Sequence, residues 1–187
     1  MIRTAVLGFP RIGPDRELKR LVEKHWQGEL SAEGLLAATH ELRRASRSRL
    51  VDVGVSEVPS GDFSLYDHVL DLAQAVGAVP TLAEGTPLDD YFLLARGRAP
   101  GGRVGRALEM TKWFDTNYHY LVPEIAPETR LALRFNPIRQ AYQEALAEGR
   151  KTRPVVLGPV SFLQLSKDPT GQASPLARLA DLLPVYA

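Results

Sequence analysis

Cationic side chains lie close together shortly after the first apolar run of the chain. Arg11 is followed by Arg16, Glu17, Leu18 and Lys19, and we call residues 11–19 the basic segment. Since Arg16 and Lys19 are three residues apart, a helix that begins here would carry both on one face. The N-terminal end of a helix also offers unpaired N–H groups and the positive end of its dipole. The pattern predicts a carboxylate or phosphate site, and a solvated helix face with salt bridges to nearby glutamates is the alternative.

A second segment, residues 109–120, mixes aromatic and polar side chains more densely than any other part of the chain. Lys112, Trp113, Asp115 and Asn117 are its candidate ligand contacts. In ligand clefts, aromatic rings supply contact area and a few polar groups supply orientation. Such a mixture is also found in buried hydrogen-bond networks, where every polar group has a partner. The residues alone leave both interpretations open.

Two further segments follow predicted strands. Residues 59–67 come directly after a predicted strand at 55–58, and ligand sites in parallel α/β folds lie at the C-terminal ends of strands. Asp62 is the candidate there, and a turn with Asp62 or Ser64 as a helix cap is the alternative. Residues 157–161 also follow a predicted strand, but a Gly-Pro step can shape a loop without performing chemistry.

The composition limits the chemistry of the chain. It has no cysteine, so neither a disulfide nor a thiolate metal site can form. Its histidines are scattered without metal-ligand spacing, at His25, His40, His68 and His119. Glycine-rich phosphate loops and a Gly-x-Ser-x-Gly elbow are also missing. We therefore assign no catalytic residue and no metal ligand to this chain.

The bulk properties favour a folded, soluble protein. Of 187 residues, 44% are hydrophobic and 24% are charged, and the net charge is +1. This balance gives no reason to expect a nucleic-acid or membrane partner. Four arginines at positions 43, 44, 47 and 49 share a predicted helix face, so DNA binding is a minor hypothesis. No apolar run approaches the ~20 residues of a spanning helix, and no signal-peptide pattern is seen. We expect a cytoplasmic location.

Strands and helices alternate along the chain. Strands are predicted at 4–8, 55–58, 131–135 and 154–157. Helices are predicted from Asp15 as cap to about 27, from Ser31 as cap to 53, from Asp62 or Ser64 to 76, at 138–148, and from 174 onwards. Residues 91–95 fit either class, and 80–88 and 96–106 are predicted loops. This order indicates an α/β fold with a parallel sheet. A closed eight-strand barrel takes about 250 residues, so we expect an open sheet or an incomplete barrel.

The same segments resemble a known family. Residues 7–13 with 16–19, then 61–70, 107–124 and 157–162 are similar, in this order, to the N-terminal part of cobalamin-independent methionine synthase. The most specific block is Met-Thr-Lys-Trp-Phe-Asp-Thr-Asn-Tyr-His-Tyr at 110–120. The blocks span nearly the whole chain.

The resemblance implies a fold and a reaction. Members transfer a methyl group from 5-methyltetrahydropteroyltri-L-glutamate to L-homocysteine, and they contain two (βα)8 TIM barrels. The C-terminal barrel holds zinc and homocysteine, whereas the N-terminal barrel helps to bind the folate. Residues 1–187 would be the folate-tail-binding portion of that N-terminal barrel, incomplete and without a cofactor of its own. We expect the chain alone to be inactive, with the C-terminal barrel as its partner and an uncovered barrel edge that favours self-association.

The resemblance also implies site residues. Those that match the family's folate polyglutamate contacts are Arg16, Glu17, Leu18, Lys19 and Lys112. Further candidates are Arg11, Asp62, Trp113, Asp115 and Asn117. A polyglutamate tail is a row of carboxylates, which suits Arg and Lys at a helix N-terminus. The alternative function is a stand-alone folate-binding, anion-binding or scaffold protein that has lost catalysis.

Overall fold

A computed structural model describes residues 3–80 and 86–187, which form two compact units. Unit 1 contains the residues up to Leu65 together with Pro137–Val156. Unit 2 contains Tyr66–Asn136 and Leu157–Ala187. Each unit therefore combines two separate stretches of the chain.

The described residues form seven α-helices and four short strands. The helices are α1 Glu17–Trp26, α2 Ala32–Asp52, α3 His68–Ala75, α4 Pro87–Arg96, α5 Pro137–Ala147, α6 Pro159–Gln164 and α7 Leu179–Tyr186. The strands are β1 Pro59–Ser60, β2 Met110–Lys112, β3 His119–Leu121 and β4 Arg153–Pro154, and short 3₁₀ turns lie at Pro100–Gly102 and Pro175–Arg178. This mixture is compatible with the predicted α/β class. Within residues 3–80 and 86–187 there are two two-stranded sheets and no closed sheet.

The sheet of unit 1 is parallel. β1 pairs with β4, with Pro59 opposite Arg153, and a further parallel bridge joins Ala5 to Glu57 just before β1. Pro154 is tolerated in β4 because its neighbours make the ladder bonds. The N–H groups of residues 153 and 155 donate to the carbonyls of residues 58 and 60, both at 2.8 Å. The missing N–H of Pro154 therefore falls on the side that does not pair.

Gly61 ends β1 and lets β4 approach. Its φ is +79°, and a Cβ at this position would lie 2.8 Å from the carbonyl oxygen of Val155. Only glycine adopts this conformation without strain and leaves room for the neighbouring backbone. A break at this point was predicted from the sequence, but the strand before it was not, because β1 covers Pro59–Ser60 rather than 55–58.

Three other strand predictions change in the structure. The strand predicted at 4–8 is reduced to the bridge at Ala5, and the one predicted at 154–157 is β4 at Arg153–Pro154. The prediction of a strand at 131–135 is wrong. That segment instead donates two backbone hydrogen bonds, from residues 132 and 134 to the end of α3 at residues 76 and 75.

The helix predictions agree more closely with the structure. Ser31 caps α2 as predicted, and its Oγ accepts a 3.1 Å hydrogen bond from the Gly34 N–H. α5 begins at Pro137, one residue from its predicted start. The predicted loop at 80–88 lies partly outside the described residues, and α4 begins at Pro87.

Unit 2 is built around one apolar core. Its buried members include Val69 of α3, Tyr120 of β3, Phe162 of α6 and Leu182 of α7. α3 is capped by Asp67 and not, as predicted, by Asp62 or Ser64. None of the helices in the described residues is long and apolar enough to cross a membrane.

Candidate functional site

The basic segment leads into α1 through an unusual backbone conformation. Arg16 is the N-cap residue and lies in the left-handed region, with φ 61° and ψ 37°. The prediction that Asp15 caps the helix is wrong, because no side chain caps α1. The Asp15 N–H instead donates a 3.1 Å hydrogen bond to the Glu17 carboxylate. The turn is closed by the Arg16 N–H, which donates to the Gly13 carbonyl at 3.2 Å.

The four positions at the start of α1 that are predicted as tail contacts differ in exposure. Arg16 and Lys19 are exposed, whereas Leu18 is 1% exposed and packs in the core. The N–H of Leu18 donates to the Ile12 carbonyl at 3.1 Å, so both its side chain and its N–H anchor the segment. Lys19 forms an ion pair with Glu23 one turn later. The alternative of a salt-bridged helix face is therefore realised at Lys19, which remains exposed beside Arg16.

Arg11 and Asp62 tie two loops of unit 1 together. The Asp62 carboxylate accepts a 2.9 Å hydrogen bond from the Phe9 N–H. In the opposite direction, Arg11 Nη1 donates to the Ser64 carbonyl at 3.1 Å. These two reciprocal contacts fix the loop that precedes Arg16.

The family-matched lysine of unit 2 lies on a β-hairpin, residues 110–121. β2 and β3 pair in antiparallel register, with Lys112 opposite His119. Lys112, Asp115 and Asn117 are exposed, and Trp113 is partly buried against the core of unit 2. The exposed cation and the polar loop residues thus lie on one hairpin and its connecting loop.

The loop of this hairpin is also strained. Phe114 has φ 51° and is 65% exposed. The Trp113 N–H donates to the Tyr118 carbonyl at 2.7 Å, and Thr116 Oγ1 donates to the Trp113 carbonyl at 2.6 Å. Among the described residues, Arg16 and Phe114 are the two non-glycine residues with positive φ. Strained non-glycine residues concentrate at functional sites, and one lies in each of the two segments selected from the sequence.

A buried aspartate that the sequence reasoning missed holds the hairpin. Asp67 is 1% exposed, and its Oδ2 accepts hydrogen bonds from the N–H groups of Leu70 at 3.0 Å and Leu121 at 3.1 Å. Its Oδ1 accepts from the Tyr118 hydroxyl at 2.9 Å. An Asp immediately before the apolar run of α3 was the sequence signal for a cap, but Asp62 and Ser64 offered the same signal a few residues earlier.

Aromatic residues surround this aspartate. The Tyr91 hydroxyl accepts hydrogen bonds from the N–H groups of Tyr66 at 2.9 Å and Asp67 at 3.0 Å. Burial raises the pKa of Tyr91 well above its ordinary value, and the nearby charge of Asp71 acts in the same direction. His68 Nδ1 lies 3.0 Å from the Tyr118 hydroxyl, and its ring centroid lies 5.0 Å from that of Trp113.

One group of the described residues has the composition of a metal site. His40, Glu144 and Glu148 bring their ligand atoms within 4.8 Å of one another. Both carboxylates are already bound by arginines of α2, because Arg43 pairs with Glu144 at 2.6 Å and Arg47 pairs with both glutamates. Two guanidinium charges in contact with the oxygens oppose a cation, so this group does not fit zinc.

Ion pairs account for three of the four arginines of the predicted helix face. Arg43 and Arg47 face carboxylates of α5, and Arg44 pairs with Glu41 at 2.7 Å. Burial alone would raise the pKa of Glu144, but its hydrogen bonds and charge interactions with Arg43 and Arg47 lower it overall. Arg43 and Arg47 therefore join α2 to α5 within unit 1, whereas Arg44 pairs within α2.

Comparison with known proteins identifies relatives over nearly the whole chain. The family model described as "Cobalamin-independent synthase, N-terminal domain" matches residues 3–187. The 5-methyltetrahydropteroyltriglutamate–homocysteine methyltransferase of Xylella fastidiosa is 54% identical over 184 residues, which is 96% of this chain and 24% of that protein. Its namesake in Caulobacter vibrioides is 48% identical over 204 residues, covering 99% of this chain and 26% of that protein.

A third relative of the same name, from Rhodococcus jostii, is 51% identical over 184 residues. The match covers 97% of this chain and 24% of the relative. The chain thus spans about a quarter of the length of the curated relatives it matches.

Proposed function

The chain belongs to the family of cobalamin-independent synthase N-terminal domains, and from this membership we propose that it binds the polyglutamate tail of a folate substrate. The longer relatives are named for methyl transfer from 5-methyltetrahydropteroyltriglutamate to homocysteine. We propose that this chain serves the same reaction together with a C-terminal catalytic barrel. Its own part is to recognise the row of carboxylates on the triglutamate.

The observation that carries this proposal is the exposure of cations in the two segments that contain the strained residues Arg16 and Phe114. Arg16 is held in a left-handed conformation at the start of α1, with exposed Lys19 one turn along. Guanidinium and ammonium groups at a helix N-terminus bind carboxylates through charge-assisted hydrogen bonds. Lys112 is likewise an exposed cation, on the hairpin of unit 2.

The remaining candidates receive different roles. Trp113, Asp115 and Asn117 are proposed to line the ligand on the hairpin. Arg11 and Asp62 are proposed to act through the loop that they hold, because their side chains bond the backbone of unit 1. Glu17 and Leu18 are proposed to shape and anchor the basic segment.

The finer fold is also a proposal. The parallel pairing of Ala5 with Glu57 and of β1 with β4 supports a (βα)8 arrangement, since neighbouring parallel strands are its repeating unit. We assign no zinc chemistry to this chain, because its one described His/Glu group is neutralised by arginines.

A titration of the protein with pteroyltriglutamate and pteroylmonoglutamate tests the function. We expect tighter binding of the triglutamate, because only the longer tail presents several carboxylates to the cations. Arg16→Ala or Lys19→Ala should each weaken triglutamate binding about tenfold, the loss expected for one charge-assisted hydrogen bond. Monoglutamate binding should change less.

Arg20→Ala is the matched control, because it removes an exposed cation from the same helix one position beyond Lys19. It should leave both affinities unchanged. Equal binding of the two ligands, or equal losses in all three variants, would contradict recognition of the tail by this segment.

A further inference from the structure

The hairpin that carries Lys112 depends on one buried carboxylate. Asp67 receives hydrogen bonds from three parts of unit 2: the first turn of α3 through Leu70, strand β3 through Leu121, and the hairpin loop through Tyr118. A helix cap needs only the first of these bonds. The other two join the start of α3 to the hairpin.

The backbone of Asp67 is also held in place by hydrogen bonds. The buried Tyr91 of α4 accepts hydrogen bonds from the N–H groups of residues 66 and 67 through its hydroxyl. Asp67 therefore has a defined backbone position and, with three donors on its carboxylate, a defined side-chain orientation. Supporting contacts of this kind determine how accurately a site presents its ligand-binding groups.

The effect of Asp67 reaches Lys112 through the backbone of the hairpin. Tyr118, whose hydroxyl donates to Asp67, also accepts a 2.7 Å backbone hydrogen bond from Trp113, next to Lys112. Lys112 lies opposite His119, two residues before the Leu121 N–H that Asp67 binds. Fixing residues 118 and 121 therefore fixes the strand position from which the lysine extends.

We propose that Asp67 is a positioning residue of the ligand site, whose buried carboxylate holds the hairpin so that Lys112 reaches a carboxylate of the folate tail. The proposal rests on the proposed function. Asp67 does not touch the ligand, and its role is geometric rather than electrostatic. An uncharged side chain with the same shape and an acceptor oxygen should therefore replace it.

Asparagine provides that test. Its oxygen can accept from Leu70 and Leu121, and its amide can donate to the Tyr118 oxygen, which accepts as well as donates. Asp67→Ala should weaken pteroyltriglutamate binding about tenfold, the factor expected for one misplaced charged contact. Asp67→Asn should recover most of the lost affinity. Tyr118→Phe, which removes one of the three donors, should show a smaller loss.

Amide hydrogen exchange separates position from direct contact. In Asp67→Ala, exchange should accelerate across residues 110–121 and stay unchanged in α1 of unit 1. Lys112→Ala should weaken binding to the same extent while leaving exchange in the hairpin unchanged. If Asp67→Ala does not fold, Tyr118→Phe decides, because it should still accelerate exchange in the hairpin and weaken binding.

The outcomes distinguish the two proposals. Faster exchange in the hairpin with wild-type affinity would overturn the positioning role and leave tail binding intact. Failure of asparagine to restore affinity, although exchange in the hairpin returns to normal, would also overturn it, because the charge would then be the active property. Unchanged binding in Lys112→Ala would instead reject Lys112 as a tail contact, and the proposed function would fail at this residue.

Discussion

The basic segment of unit 1 and the hairpin of unit 2 hold their cations in different ways. Each contains one non-glycine residue with positive φ, and an aspartate ties the loop just before the basic segment as well as the hairpin. Asp62, in unit 1, is partly exposed, and its one backbone donor described is the Phe9 N–H. Asp67, in unit 2, is almost fully buried and accepts from three donors.

The two aspartates indicate that the hairpin is more rigid than the basic segment. Buried, fully satisfied hydrogen bonds are stronger and more costly to break than exposed ones. We therefore expect the hairpin to be fixed before the ligand arrives and the basic segment to adjust on binding. Each unit also contains one of the two tryptophans, Trp26 in α1 and Trp113 in the hairpin, so the two regions can be followed separately.

The largest predicted effect separates the two aspartates. Asp67→Ala leaves three donors without their acceptor and should lower the free energy of unfolding of unit 2 by about 4 kcal/mol. Asp62→Ala should lower that of unit 1 by about 1 kcal/mol, since one backbone hydrogen bond is lost. Urea unfolding measures the two free energies. The fluorescence of Trp113 in a Trp26→Phe background follows unit 2, and that of Trp26 in a Trp113→Phe background follows unit 1. Equal losses in the two variants would contradict a stronger role for the buried aspartate.

A second prediction concerns acid. The folded-state pKa of Glu144 lies below its ordinary value of 4.5, so its ion pairs stabilise unit 1 above that pH. Their contribution is lost as the pH falls through the lowered folded-state pKa. Glu144→Gln should lower the free energy of unfolding by about 2 kcal/mol at pH 7, because Arg43 and Arg47 lose a partly buried partner. Below pH 4.5, the stability of this variant should fall less steeply than that of the wild-type protein.

Urea unfolding at several values between pH 7 and pH 3, followed by the fluorescence of Trp26, measures these changes in the free energy of unfolding. Glu41→Gln is the control, because the Glu41–Arg44 pair is also on α2 but is exposed to solvent. It should change the stability of unit 1 much less. If both variants have the same effect, the ion pairs between α2 and α5 do not stabilise unit 1 beyond ordinary surface pairs.

The sequence allowed accurate prediction of elements that local chemistry determines. Ser31 was identified as the cap of α2 because it precedes an apolar pattern of helical period, and the structure has this cap. α5 was also predicted to within one residue of each end. The family was also identified correctly, because the block at 110–120 is specific in order and composition.

Features that depend on partners far along the chain could not be predicted from local sequence patterns. β1 lies at residues 59–60 because those residues meet β4 about a hundred positions later, whereas the segment 55–58, just before Pro59, was predicted as the strand. Asp67 was missed because local rules favour several caps equally. The choice is made by Leu121 and Tyr118, which belong to a hairpin far along the chain. The left-handed conformation of Arg16 likewise has no local sequence signal.

The smallest predicted effect has the opposite sign. Arg16 has φ 61° and ψ 37°, a conformation that glycine adopts without strain. Arg16→Gly should therefore raise the free energy of unfolding of unit 1 by about 1 kcal/mol, the lower end of the cost of a left-handed residue with a side chain. It should also weaken triglutamate binding, because the guanidinium is removed. Urea unfolding with the Trp26 signal, combined with the ligand titration, measures both properties.

Arg16→Ala separates strain from charge. Alanine also lacks the guanidinium but keeps a Cβ, so it should bind the triglutamate as weakly as the glycine variant without gaining stability. If glycine stabilises and both variants bind weakly, the arginine is kept in a strained conformation because the ligand requires it. If the two variants are equally stable, Arg16 stores no strain. The basic segment would then resemble the hairpin only in its charges, and the comparison of the two regions would rest on their aspartates alone.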